Sequence, residues 1–523
     1  MSHWILAPVL FPALAAIILL LSARASKATH QIVSVLSTTA VLVASIALVL
    51  YANEGTRDVY ALGGWPVPFG IVLVLDRLSA LMVLLTTIVG MGAVLYAVRG
   101  WDQRGKNFHA LFQFQLMGIN GAFLTGDAFN LFVFFEILLI ASYGLLVHGG
   151  GIRRIKAGLH YVIFNLTGSA LFIIALGLLY GSLGTLNMAD MSVRISELDP
   201  HDIALVRATG LLLFVVFSIK AAVLPLYFWL PGTYSAASAP VAALFAIMTK
   251  VGLYSILRAS TLLFGANAGE LAHLAEPWLL PAGLVTMLCA SLGALSSKDL
   301  RGLISYLVIA SVGTLLIAFA LPGVASLSAA MYYMVHSTII MAALFLVADL
   351  VGRSRGAYDD LLESARPVAR PAALGSMFFI GAIAASGMPP LSGFFGKLFI
   401  LESAVGHEKA AAVFFVILLG GLIGLVGLSR AGSVIFWKTA PTVDGENRDE
   451  IEHGENGDAA TPAVDVTLAD LVPPALLIAL TALMVVAAGP IYEFMHDLAA
   501  QTLDVDGYIR AVFALAENVE VTP

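Results

Sequence analysis

The chain has 523 residues, of which 59% are hydrophobic and 12% charged, with a net charge of −7 and a mean hydropathy of +0.93. Soluble domains carry roughly 45–50% apolar and 25% charged residues, so this composition describes an integral membrane protein. One cysteine, Cys289, cannot by itself supply an iron–sulfur cluster, a disulfide or a zinc site and is read as a packing residue, and no basic patch points to nucleic acid.

In chain order, apolar runs fall near 4–22, 31–51, 72–98, 109–125, 128–147, 157–181, 206–230, 236–264, 277–295, 302–321, 326–350, 372–401, 409–436 and 471–490. Each is long enough to cross a hydrocarbon layer of about 30 Å, which predicts an all-α bundle of about fourteen spans rather than a barrel of short alternating strands. The first run opens MSHWILAPVLF without a basic stretch and is read as a retained helix. Lys and Arg gather in alternate loops, at Arg24 and Lys27, Arg99 to Lys106, Arg153 to Lys156, Lys298 and Arg301, Arg353 to Arg370, and Lys438. Those loops are expected in the cytoplasm, which puts both termini on the outer side for fourteen spans. An acidic stretch at 441–470 reads as a solvated linker, and the late GYIRAVFALAENV as a short amphipathic surface helix.

Five ionisable residues interrupt the apolar runs: Glu136 in FNLFVFFEILLIASY, Lys220 in FSIKAAVLP, Lys250 in FAIMTKVGLYSIL, His336 in MYYMVHSTIIMAALF and Lys397 in SGFFGKLF. A charge at mid-bilayer costs roughly 2.5–3.5 kcal/mol even on the forgiving insertion scale, so five facing lipid would cost on the order of 10 kcal/mol. They are therefore expected to face the protein interior or internal water. Buried ion pairs that merely hold helices together are the bland alternative, but three lysines and a histidine outnumber one carboxylate, and a chain of proton carriers suits the surplus better. A lysine carries protons near neutrality only where burial lowers its pKa from about 10.4, and a neighbouring carboxylate opposes that shift. His160 is expected at the interface, Asp76 and Arg77 as a helix-start or interface pair, and His109 in solvent beside its basic loop.

Pro225 and Pro231 interrupt the seventh run, and Pro389, Pro390, Gly393 and Gly396 the twelfth, each near a lysine. Discontinuous helices at corresponding places in two halves are a sequence pointer to an ion site in repeat-built transporters.

GAFLTGDAFNLFVFFEILLIASYGLLVHGG, KAAVLPLYFWLPGTYSAASAPVAALFAIMTKVGLYSILR, KDLRGLISY and GMPPLSGFFGKL resemble the antiporter-like subunits of respiratory complex I and its relatives over about residues 70–435. The GSLGTLNMADMS stretch and a lysine at 397 are most similar to the D subunits of Mrp-type multisubunit Na+/H+ antiporters. The resemblance implies three N-terminal helices (1–108), two inverted five-helix repeats (109–264 and 277–437, spans 4–8 and 9–13) with broken helices 7 and 12, an acidic cytoplasmic linker (438–470), and a last helix with tail (471–523). It further implies that Glu136 pairs with Lys220, that Lys250 is central, that His336 is the helix-eleven titratable residue, and that Lys397 lies near a second half-channel. Leu307 and Ser311 depart from it, standing where relatives often carry more polar residues.

The function so implied is proton translocation within a multisubunit monovalent cation (Na+)/H+ antiporter of the bacterial cytoplasmic membrane. Its partners would be a long A-type subunit, small hydrophobic subunits, protons and Na+ in the lipid bilayer, with no cofactor and no metal site in this chain. A proton-pumping subunit of complex I or of a membrane-bound hydrogenase is the alternative. A redox enzyme is disfavoured, because the chain has neither a strand-associated glycine fingerprint for a dinucleotide nor a cysteine set.

Overall fold

The computed structural model describes residues 2–22, 24–438 and 466–519. The helices are α1 (Ala7–Leu21), α2 (Lys27–Ala52), α3 (Arg77–Ala97), α4 (Phe108–Leu124), α5 (Ala128–Leu146), α6 (Ile152–Leu183), α7 (Met188–Ser196), α8 (Ile203–Ala221), α9 (Trp229–Ala236), α10 (Ala239–Phe245) and α11 (Met248–Arg258). Then follow α12 (Glu276–Ser296), α13 (Leu300–Ala320), α14 (Val324–Arg355), α15 (Pro371–Ser386), α16 (Ser392–Ser403), α17 (Ala410–Phe436), α18 (Leu468–Val486), α19 (Ala488–Leu503) and α20 (Val505–Val519). Among the described residues, 12 helices are long and apolar enough to cross a membrane. The two remaining sequence runs correspond to the 17-residue α4 and to the α15–α16 pair.

The run at 72–98 does not start as a helix. Val72–Leu75 is a strand, β2, paired antiparallel with β1 (Asp58–Ala61), and only at Arg77 does α3 begin, capped by the Asp76 carboxylate on the Ser79 N–H at 2.8 Å. VLVL uses the same residue alphabet as a span, so composition could not separate the two.

The 32-residue α14 and the α10–α11 segment form the axis: their most apolar windows are 94% and 100% buried. Around α14 pack α3, α10, α13, α16, α18 and α19. By contrast α1, α2 and α6 leave much of their apolar surface open, at Ile18, Leu36 and Leu166 among others, as lipid-facing helices do. After the 439–465 stretch, which holds most of the expected acidic linker and lies outside the described residues, α18 is tied back to the body by an ion pair from Arg99 to Asp470 at 3.1 Å. The late amphipathic segment forms α20, with Tyr508 and Val512 buried.

Both predicted breaks exist, but not every residue blamed for them takes part. Helix α8 stops at Ala222, whose φ is +59°, and the chain turns through Pro225 before α9. Pro231 lies in the first turn of α9, where a missing N–H leaves no intrahelical bond unmade. Helix α15 ends at Gly387, in the left-handed region at φ +81°, and Pro389 and Pro390 occupy the gap before α16. Gly393 and Gly396 belong to α16 itself and let it press on α14: a β-carbon at 393 would stand 2.7 Å from His336 Nε2.

Two short backbone clasps have one pattern. Between the α4–α5 turn and the segment after α6, Ala128 N–H bonds Leu186 O at 2.8 Å and Met188 N–H bonds Gly126 O at 2.9 Å. Between the α12–α13 turn and the segment after α14, Leu300 N–H bonds Asp360 O at 2.9 Å and Leu362 N–H bonds Lys298 O at 2.8 Å. In each an aspartate, Asp127 or Asp299, caps the following helix.

Candidate proton-relay site

Lys220 occupies the last turn of α8, where the break begins, and is 5% exposed. Its Nζ faces three acceptors on α6: the Asn165 carbonyl at 3.2 Å, Ser169 Oγ at 3.3 Å and Asn165 Oδ1 at 3.4 Å. An ammonium has three donors and no acceptor, so this cage matches it bond for bond. Glu136, half-buried on α5, does not pair with Lys220 directly; it accepts the hydroxyl proton of the same Ser169. The expected pair is thus joined through a serine. Close behind, Gly252 of α11 packs on the break, for a β-carbon there would lie 2.8 Å from the Lys220 carbonyl carbon.

Lys250, fully buried in the first turn of α11, donates to Ser311 Oγ of α13 at 2.9 Å and to Thr249 Oγ1 at 3.4 Å. Ser311 had stood out only as a departure from the resemblance; the structure makes it the closest partner of the central lysine. His336, 1% exposed on α14, has its Nδ1 2.8 Å from Ser392 Oγ at the start of α16. Lys397, on α16, reaches back across the second break and donates to the Ser386 carbonyl at 2.7 Å, capping the end of α15. A corresponding carbonyl at the first break, Ile219 O, accepts instead from the Trp229 indole at 3.1 Å. Beside Lys397 is a small cavity of about 20 Å³, lined by Thr314, Tyr333, Ser386 and Gly421 among others. That is room for a water molecule with several polar partners.

The five predicted residues therefore sit in or against the bundle interior, and each makes its polar contact with a hydroxyl or carbonyl rather than with an opposite charge. Side chains bonded in this way can hold or release protons without being locked into ion pairs.

Other titratable groups sort differently from the sequence reading. His109 is buried, not solvated: its Nε2 is 3.2 Å from Asp102 Oδ2, because the 99–106 loop folds over it. Asp76 and Arg77 do not pair with each other. Asp76 binds Arg258 at 2.5 Å while Arg77 reaches Asp497 at 3.3 Å, so both tie other helices to the start of α3. His160 is exposed and rests on Phe164. Asp349 of α14 is a buried carboxylate that the sequence does not mark; it accepts from Tyr96 Oη at 2.6 Å and Trp101 Nε1 at 3.0 Å. Among the described residues, no group of three or more His, Cys, Asp or Glu is arranged to hold a metal ion.

A bundle with 12 helices able to cross a membrane, two broken helices and ionisable side chains held in its interior defines a polytopic membrane protein of the transporter type. Residues 125–423 match the family described as NADH:quinone oxidoreductase/Mrp antiporter, TM. Over 84% of this chain and 87% of the relative, it is 41% identical to the D subunit of a probable K(+)/H(+) antiporter of Rhizobium meliloti (strain 1021). Over 98% and 99% it is 36% identical to the D subunit of the Na(+)/H(+) antiporter of Bacillus subtilis (strain 168). The fold superposes on a chain of the Mrp complex from Dietzia sp. DQ12-45-1b with a TM-score of 0.83 and 26% identity, covering 98% of this chain and all of that one. The chain belongs to this antiporter family, and within it to the D subunits of Mrp type.

Proposed function

We propose that this chain is the proton-translocating subunit of a multisubunit monovalent cation/H+ antiporter in a bacterial cytoplasmic membrane. Protons move along the row Glu136, Lys220, Lys250, His336 and Lys397, with hydroxyls and internal water between them. The observation that carries this reading is the bonding of the row: three interior lysines and a histidine held by Ser169, Asn165, Ser311, Ser392 and Ser386. Helix cement would instead pair each charge with its opposite.

Two inverted five-helix repeats, 109–264 and 277–437, organise the row. The matching clasps at Asp127 and Asp299 support this, since the five spans Ala128–Leu146, Ile152–Leu183, Ile203–Ala221, Ala239–Leu263 and Gly269–Ser296 separate them and so set them at opposite ends of the bundle. The loops rich in Lys and Arg lie in the cytoplasm and both termini outside. The cation crosses where this chain meets its neighbours, a long A-type subunit and small hydrophobic subunits, because a hard cation wants several oxygens and the row offers one carboxylate. Relatives are named for K+ and for Na+, so the coupled ion is a monovalent cation chosen by the assembly.

Purification of the native complex tests the proposal. Recovery with a long A-type subunit and small hydrophobic subunits, and proton movement driven by added Na+ or K+, is the expected result. Recovery with iron–sulfur subunits, and proton movement driven only by redox substrates, would replace the antiporter by a redox-driven pump.

A further inference from the structure

The Ser169 hydroxyl stands between the carboxylate of Glu136 and the ammonium of Lys220, donating to the first and within 3.3 Å of the second. It is 5% exposed, on the face of α6 one turn beyond Asn165. A spacer that merely separated the two charges could be any small residue. A hydroxyl differs in having one donor and two acceptor lone pairs, so it can receive a proton on one side while releasing its own on the other.

We propose that Ser169 is the proton wire between Lys220 and Glu136, a positioning and transfer residue of the relay on which this inference rests. In the transfer step a Lys220 N–H bond breaks and its proton forms a new O–H bond on Ser169 Oγ. The original Ser169 O–H breaks, and that proton forms an O–H bond on Glu136 Oε1. Ammonium and carboxylate become amine and carboxylic acid, the serine is unchanged in composition, and no other reactant is needed. Before the step can repeat in the same direction, the hydroxyl must turn to aim its hydrogen at Glu136 again. The rotation limits the serine to one proton per turn.

The test is cation-dependent proton movement in inverted vesicles holding the whole complex, with assembly checked by co-purification of the other subunits. Ser169→Ala is expected to slow transport about a hundred-fold, the low end of what a positioned proton-transfer group contributes, and Ser169→Thr, which keeps the hydroxyl, to restore most of it. Asn165→Ala, which removes the Oδ1 acceptor of Lys220 and spares the bridge, is expected to lose less than Ser169→Ala. Equal losses in Asn165→Ala and Ser169→Ala, with no rescue by threonine, would mean that both only hold the lysine, and would overturn the wire. Parent rates in Ser169→Ala beside a silent Lys220→Ala would also overturn it while leaving the relay standing. Parent rates in Lys220→Ala itself would remove the relay and the wire together.

Discussion

Lys250 of α11 donates to Ser311 of α13 at 2.9 Å, a contact between a helix packed on α8, which carries Lys220, and a helix packed on α14, which carries His336. A hydrogen bond to a charged group contributes about 1.5–3 kcal/mol, and Thr249, at 3.4 Å, is a poor substitute. Ser311→Ala should therefore slow proton movement about ten-fold, whereas Ser311→Thr should stay near the parent rate. Initial rates of vesicle acidification, normalised to assembled complex, check both.

Lys397 closes the second break by donating to the Ser386 carbonyl. Replacing it with methionine keeps the stem and leaves that carbonyl without its donor. Lys397→Met should lose transport and also lower thermal stability, by about 1–3 kcal/mol for an unsatisfied buried acceptor. Thermal unfolding of the purified complex measures the second effect independently of the first.

Gly252 sits where α11 crosses the end of α8, and a β-carbon there would stand 2.5 Å from the Ala221 nitrogen and 2.8 Å from the Lys220 carbonyl carbon. Both neighbours are backbone and cannot swing aside. Gly252→Ala should cost about 1–3 kcal/mol by overpacking and push the Lys220 turn off its cage. Lower yield of assembled complex, together with slower transport per complex, would report it.

Outside the membrane, the Arg57 guanidinium donates to Asp504 at 2.9 Å and holds that carboxyl below the usual carboxylate range. A carboxylate depressed in the folded state stabilises fully above its unfolded pKa, near 4, and that contribution disappears as pH falls through the lower folded value. The start of α20 should thus loosen below about pH 4, and Asp504→Asn should remove the pH dependence. Hydrogen exchange of 505–514 between pH 3 and 6 follows it.

The interior placement of Glu136, Lys220, Lys250, His336 and Lys397 was legible because a charge in an apolar run is too costly to leave facing lipid. Their partners were not. Ser169, Ser311 and Ser392 are small residues that commonly bond their own helix backbone, so nothing in the sequence separates a relay serine from a filler. His109 was misread because its neighbours are basic and polar, while its burial comes from a loop folding over it and its contact with Asp102. Asp349 falls at the edge of its run, where the sequence gives no sign that Tyr96 and Trp101 close on it. The breaks were visible as prolines, yet which carbonyls they free, and that Trp229 caps one and Lys397 the other, depends on the path of the chain through each gap. Strand β2 was hidden inside an apolar run for want of any difference in composition.

The central claim is that protons cross on the interior lysines. Its most direct measurement is cation-dependent proton movement in inverted vesicles carrying the complex with Lys220→Ala or with Lys397→Ala, each shown to assemble with its partner subunits. Transport should be lost in both while assembly persists. Transport at the parent rate in either variant would contradict it.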